Sequence, residues 1–456
     1  MNRFLIICFF APIVSALPLW SQTDNPAQDV PPQNAVDHPE DRMQTPPPVT
    51  GANYPAVVTA QEKSNYLRYG VVFTSAYSDN VLAGTSPNPV SDISYSVAPT
   101  IAIDTTTPRL HWVGTYAPGF TLYQRESGLN MADQNASFNF DYRLSPHVTL
   151  SARDAFLKSS NVFNQPNLGA GSPISGGAQV PNFTVIAPLA SVLTNTGSVD
   201  LSYQFALNGQ IGASGTFTNL HYPDPLQVPG LADSASQGGS AFYSFRISKM
   251  HYFGVTYQYQ RLLSYPAAGL SETQTHAVLL YYTLYPTTHF TFSLFGGPQY
   301  SDTVQPPIPP LNLSLPEAKA WTPAAGGSLS WQGRLTNFAV SYSHVISGGG
   351  GLMNAVHLDT GSPSIKRQIT KTLSGTVSGA YAENKMLGSF LGAGFNGHSV
   401  SGTASLSQLL GQHLTVGLGY TRLHQSYNGV PALAANPDTN REFISISYQF
   451  SRPLGR

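Results

Sequence analysis

The chain of 456 residues holds one cysteine, Cys8, and few charges. Asp, Glu, Lys and Arg make up 10% of it, where an average soluble protein carries roughly 25%. A lone cysteine excludes a disulfide framework and a thiolate metal site. The formal net charge of -1 offers no electrostatic footprint for nucleic acid. No run reaches the ~20 apolar residues that a membrane-spanning helix needs. His, Asp and Glu show no metal-ligand spacing, and the glycine run 348–351 has no Lys-Ser/Thr partner to make it a phosphate cradle. His276, His344, His357 and His398 fall on separate segments with no motif relating them, so they read as lining or rim residues. The expectation is therefore a protein without enzymatic activity, cofactor or metal.

Glycine (41), proline (36) and tyrosine (24) are plentiful. Met1-Asn-Arg3, an apolar run from Phe4 to Val14 and then Ser15-Ala16 read as a secretory signal peptide within 1–22, implying export through the Sec pathway. Cys8 lies inside that apolar run and not after it, which does not suit a lipoprotein. Residues 23–63, with Pro31-Pro32 and Pro46-Pro47-Pro48, lack the apolar content to offset ordering entropy and read as a disordered arm, a tether or a docking segment.

From 64 to 456 the chain repeats one theme. In Asn440-Arg-Glu-Phe-Ile-Ser-Ile-Ser-Tyr-Gln-Phe450, Ile444, Ile446, Tyr448 and Phe450 alternate with Ser445, Ser447 and Gln449, the period-two signature of a strand with unlike faces. Similar stretches of about ten residues recur, as in Tyr69/Val71/Phe73, Phe138/Phe140/Tyr142 and Val199/Leu201/Tyr203/Phe205. Short connections alternate with long ones, and strands running toward the long ones end in an aromatic: Tyr77, Phe120, Phe156, Tyr222, Tyr259, Tyr300, Tyr342, Tyr381 and Tyr420. A girdle at one rim is what amphipathic rings at a membrane interface produce.

The closing Tyr-x-Phe strand resembles that of bacterial outer-membrane β-barrels, where a C-terminal aromatic serves the assembly machinery; here six residues follow it. The resemblance implies an all-β fold, a transmembrane antiparallel β-barrel, and counting the alternating segments gives about 18 strands, or 16 if residues 352–367 are not a strand. It implies the cell outer membrane, its lipids and the barrel-assembly machinery as partners, and leaves the oligomeric state open. Alternation leaves a lumen lined by neutral hydroxyls such as Ser399, Ser401 and Thr403.

The inward charges are few. With a three-residue loop at Ser145-Pro146-His147, Asp141 falls opposite Ser151 and Asn139 opposite Arg153. Asp141, Arg143 and Arg153 then form a pore-lining patch, with Arg68 and Arg246 pointing the same way, as a charge filter or as bracing for the inner wall. The connection 158–196 takes the place of the inward third loop of general porins, although it has no carboxylate of its own to narrow the channel. The functional expectation is a porin-like channel for passive or weakly selective diffusion of small hydrophilic solutes, saccharides included. The alternative is a non-conducting barrel with a surface-structural or adhesion role, or the outer part of a polysaccharide-export assembly.

Overall fold

The computed structural model describes residue 43 and residues 65–82, 88–159, 190–224, 230–267, 269–287, 289–306, 317–387, 396–428 and 438–454, all within one compact unit. The expected leader, the arm apart from Met43, and most of the third long loop lie outside them. Eighteen strands follow one another: β1 (Tyr66–Ser78), β2 (Asp92–Thr106), β3 (Leu110–Tyr123), β4 (Met131–Arg143), β5 (Val148–Ser159), β6 (Val192–Ala206), β7 (Gly209–His221), β8 (Asp233–Arg246) and β9 (His251–Tyr265). The second half is β10 (Ser271–Thr287), β11 (Phe290–Val304), β12 (Ala318–Gln332), β13 (Thr336–Gly349), β14 (Met353–Gln368), β15 (Leu373–Met386), β16 (Asn396–Leu410), β17 (Leu414–Asn428) and β18 (Thr439–Pro453). The segment 352–367 is thus a strand, and the even count is 18.

Each strand pairs antiparallel with the next, and β1 pairs with β18 from Tyr66↔Pro453 to Ser78↔Arg441, so the sheet closes on itself. Closure leaves no edge at the ends of the sheet, the condition for a sheet in hydrocarbon. The six residues after Phe450 find a partial explanation here. Ser451, Arg452 and Pro453 continue β18 opposite Arg68, Leu67 and Tyr66, and Phe450 stacks on Tyr69 with ring centroids 5.4 Å apart.

Alternation sorts the two faces as the sequence implies. Val71, Phe73, Val97, Ile101, Leu280, Leu418 and Ile444 are exposed on the outside, while Val72, Ala76, Thr100, Leu279 and Ser445 are buried within. Small hydroxyls pair across strands on the inner face: Thr273 with Thr303 at 3.0 Å, Thr283 with Ser293 at 2.9 Å, Ser341 with Ser362 at 2.7 Å, and Ser374 with Ser407 at 2.7 Å. Each pair satisfies two polar groups at once and leaves little to pull in water.

The rim where Tyr66 meets Pro453 also carries the short turns, and in outer-membrane barrels that rim faces the periplasm. These turns share a device. Ser145 Oγ accepts from the His147 and Val148 amides, Ser248 Oγ from Met250, and Thr370 Oγ1 from Thr372 and Leu373, so a leading hydroxyl satisfies amides inside the turn. The opposite rim carries ion pairs on outward-facing side chains: Arg261 with Glu272, bidentate at 2.8 Å, His221 with Asp233 at 2.7 Å, and His344 with Asp359 at 2.8 Å. Charges thus collect in the headgroup zone, beyond the apolar band.

Candidate channel and its constriction

One hairpin leaves the wall. β12 and β13 pair from Gln332↔Asn337 up to Ala325↔His344 and stop, although β12 extends to Ala318 and β13 to Gly349. The next rungs would involve Pro323, which has no N–H to give. Beyond His344, β13 keeps β14 as its strand partner, with rungs from Val345↔Leu358 to Gly349↔Met353. Consecutive residues Val345, Ile346 and Ser347 are all buried, as are Ala355 and Val356. Both faces of this stretch are covered, which a wall strand with one face toward lipid does not show. The hairpin bends into the lumen, where Ile346 and Ala355 pack with Leu262 of β9 and with Leu387.

The tip is held at the far side. Tyr222, just past β7, donates its hydroxyl to Gly350 O at 2.6 Å, and the Ala232 amide donates to Gly351 O at 2.8 Å. Gly350 and Gly351 take φ of 68° and 85°, and a Cβ on Gly351 would stand 2.8 Å from Ala232 O and against the Tyr222 ring. Glycine is required there both by conformation and by close approach. Burial, and after it the Asp233 carboxylate, push the Tyr222 phenol well above the ordinary tyrosine range, so it remains a donor at any ordinary pH. Met353, Val356 and Leu358 complete a cluster with Tyr222, Leu231 and Ala190. Tyr222 therefore departs from the expected girdle: it is turned inward as the dock of the hairpin.

The lumen is consequently lopsided. Inward residues of β10 from Ser271 to Thr283 are all buried, whereas Ser151, Arg153, Ser198, Ser214, Thr216 and Ser240 on β5 to β8 keep access to solvent. The open side carries the charges. Asp141 pairs in register with Ser151 and accepts its hydroxyl at 2.6 Å, and Asn139 pairs with Arg153, the alignment derived from the three-residue loop. Asp200, opposite Ser151 on β6, lies within electrostatic reach of both Arg153 and Asp141. On the other flank, buried His111 contacts Asp104 at 3.2 Å and lies 3.9 Å from Asp141. Asp104, His111 and Asp200 were missed by sequence reasoning; the inward parity of each strand was the available signal.

Arg143 faces Thr149, two residues closer than Asp141 to the rim of short turns. Arg246 is elsewhere. It is buried four strands from β4, donating from Nε to Asn208 Oδ1 at 3.1 Å and from an Nη to Leu207 O at 2.8 Å, and so pins the β6–β7 turn. Arg68 stands on β1, three strands from β4, opposite Ser451. Neither joins the Asp141–Arg153 cluster.

His344 and His357 come together, stacked at 6.1 Å, but on adjacent strands near the external rim and next to the Asp359 that His344 contacts. No group of three or more His, Cys, Asp or Glu among the described residues is arranged to hold a metal ion. Most of the loop expected to fold inward, residues 160–189, lies outside the described residues, yet Ala190 at its end is buried in the cluster that docks the hairpin. Met43, the described residue of the arm, is buried with its amide donating to Gln204 Oε1 at 3.2 Å near the periplasmic end of β6.

A closed barrel of 18 strands with an apolar belt, a polar lumen, short turns at one rim and an inward hairpin decides the fold. The fold is that of a porin-like outer-membrane β-barrel. No family model matches the sequence, and no curated protein matches it. Among solved structures, the barrel is similar to OpdK of Pseudomonas aeruginosa with vanillate, at 10% identity and TM-score 0.39, covering 85% of this chain and 99% of that one. OccK2 (OpdF) of the same organism, in complex with glucuronate, matches at 9% identity and TM-score 0.41, covering 86% and 99%. A BenF-like porin of Pseudomonas fluorescens Pf-5 matches at 8% identity and TM-score 0.42, covering 86% and 100%.

Proposed function

We propose that this barrel carries small hydrophilic solutes, saccharides among them, by passive and weakly selective diffusion along its β4–β8 side. The observation that supports the reading is the solvent-reaching, mostly neutral lining at the middle of β5 to β8, in contrast to β10, whose inward residues from Ser271 to Thr283 are all buried. The outer membrane supplies the lipid partner, and β18 the contact with the assembly machinery. The refolded protein in a planar bilayer is expected to give stepwise single-channel currents. Silence from protein shown to be folded by its heat-modifiable gel mobility would overturn the channel and favour the non-conducting barrel, the reading that the packed β9–β14 half suits.

Asp141, Arg143, Arg153 and Asp200 then act on the permeating ion. Arg153→Ala leaves Asp141 and Asp200 facing the passage, so the cation-to-anion permeability ratio is expected to rise about two- to fivefold at low salt, and Asp200→Asn to lower it by a similar factor. Reversal potentials under a salt gradient measure both. If the two variants shift it equally in one direction, or change only the temperature of heat modification, the cluster braces the wall and does not filter.

A further inference from the structure

The stretch of β12 between residues 318 and 324 has a strand partner on its β11 side only, among the described residues. Continuing the register beyond Ala325↔His344 sets Thr322 opposite Ser347, both on inward-facing parity. The Thr322 hydroxyl is buried with no hydrogen-bond partner. Elsewhere on this inner face such hydroxyls pair across strands, as Ser341 does with Ser362 and Ser343 with Thr360, each at 2.7 Å. Thr322 is thus the half of a pair whose other half has gone with the hairpin. Ile346 points the same way: by parity it belongs with the lipid-facing Phe338, Val340 and Tyr342, yet it is buried beside Leu262.

Where the hairpin now rests there is a small cavity of about 20 Å³, room for about one water. One side is apolar: Ala277, Leu279, Phe295 and Ala324 meet Val345 and Ile346 of the hairpin. The other side presents Gln258, Gln260, Thr275 and Gln299. Gln299 is 6% exposed and its Oε1 has no partner, an acceptor buried without a donor. No charged side chain lines the space.

We propose that the hairpin has a second seat along the vacant edge of β12, and that the lumenal seat it leaves is a binding site for a small neutral solute with one apolar face and hydroxyl groups. The solute takes the place of Val345 and Ile346 against Leu279 and Phe295, and donates a hydroxyl to Gln299. An anion is disfavoured because no cation in the lining compensates its desolvation. This deepens the channel reading, placing a recognition site beside the open passage.

The test uses the chain with Cys8→Ser, Thr322→Cys and Ser347→Cys, refolded in liposomes and oxidised by a fixed concentration of diamide, with phenyl β-glucoside as probe and benzoate and glycerol as comparisons. Benzoate shares the ring but is charged; glycerol has hydroxyls and no apolar face. Phenyl β-glucoside is expected to speed disulfide formation about fivefold, the effect of a fivefold preference for the hairpin's second position, and the comparisons to leave it unchanged. Added Gln299→Leu is expected to abolish the acceleration. Hydrogen exchange of residues 318–324 in the chain without engineered cysteines reads the same event, as protection that appears with the glucoside. Equal rates with all three compounds would overturn the binding site. No disulfide together with no protection in any condition would overturn the second seat. Neither readout needs ion flow, so a silent bilayer recording refutes the channel without deciding this proposal, and a conducting protein indifferent to the glucoside refutes this proposal alone.

Discussion

Excising the lumenal part of the β13–β14 hairpin is expected to raise single-channel conductance roughly three- to tenfold, as a constricted pore widens toward its full bore. Val345 and Leu358 face each other in register, so replacing residues 346–357 by an Asn-Gly turn joins the two strands across an existing rung. The deletion removes Ile346, Ala355 and Val356, which seal the packed half, and leaves the docking residues Tyr222 and Leu262 facing water. A gentler change separates gating from bore. Tyr222→Phe removes the 2.6 Å hydrogen bond to Gly350 O, worth about 1 kcal/mol, and should add brief openings without altering the main step. Unchanged conductance after excision, in protein that still shifts on heating in a gel, would place the limiting cross-section elsewhere, with the 160–189 loop the next segment to remove.

The barrel was legible in the sequence because its physics is local. A residue's parity decides between lipid and lumen, and strand length is set by membrane thickness, so the 18 strands and the pairing of Asp141 with Ser151 follow from turn length and alternation alone. The hairpin was not legible for the same reason. Phe338, Val340, Tyr342, His344 and Ile346 alternate like any wall strand, and nothing in their order says that the ladder to β12 ends at His344. That break depends on a proline in a different strand, Pro323, and on a dock in a third place, Tyr222, whose aromatic ring looks like one more member of the girdle. Two residues did carry a local hint. Gly350 and Gly351 allow a tip that only positive φ can make, and a glycine run in so tight an external connection is unlike the longer loops around it.

Arg246 shows the converse error. Its inward parity suggests a pore-lining cation, but an arginine at the last position of a strand is also within reach of the neighbouring turn, and the carbonyl of Leu207 and the side-chain amide of Asn208 satisfy it there. Asp141 and Arg153 sit farther from a rim, where no turn carbonyls compete, and they stay on the solvent side.

The second large effect belongs to the strand that closes the barrel. Ile446 stands in the middle of β18, lipid-facing, opposite Phe73 of β1 and Val416 of β17, so that one apolar patch bridges the seam where the chain's last strand meets its first. An arginine at that depth must either carry its guanidinium through hydrocarbon or thin the bilayer around it. Ile446→Arg is therefore expected to destabilise the folded barrel by about 2–4 kcal/mol, lowering its folding equilibrium constant by about 30- to 700-fold, measured by urea titration in liposomes. Ser405→Arg, on the lumenal face of β16 between Thr376 and Gly419, keeps its charge in reach of water and should cost under about 1 kcal/mol. Equal losses at the two positions would mean that the outward face of β18 does not meet lipid, and the assignment of its alternating faces would have to be reversed. A loss confined to Ile446 ties the closing seam to the hydrocarbon core, the one place in the barrel where first and last strands must find each other before either is stable.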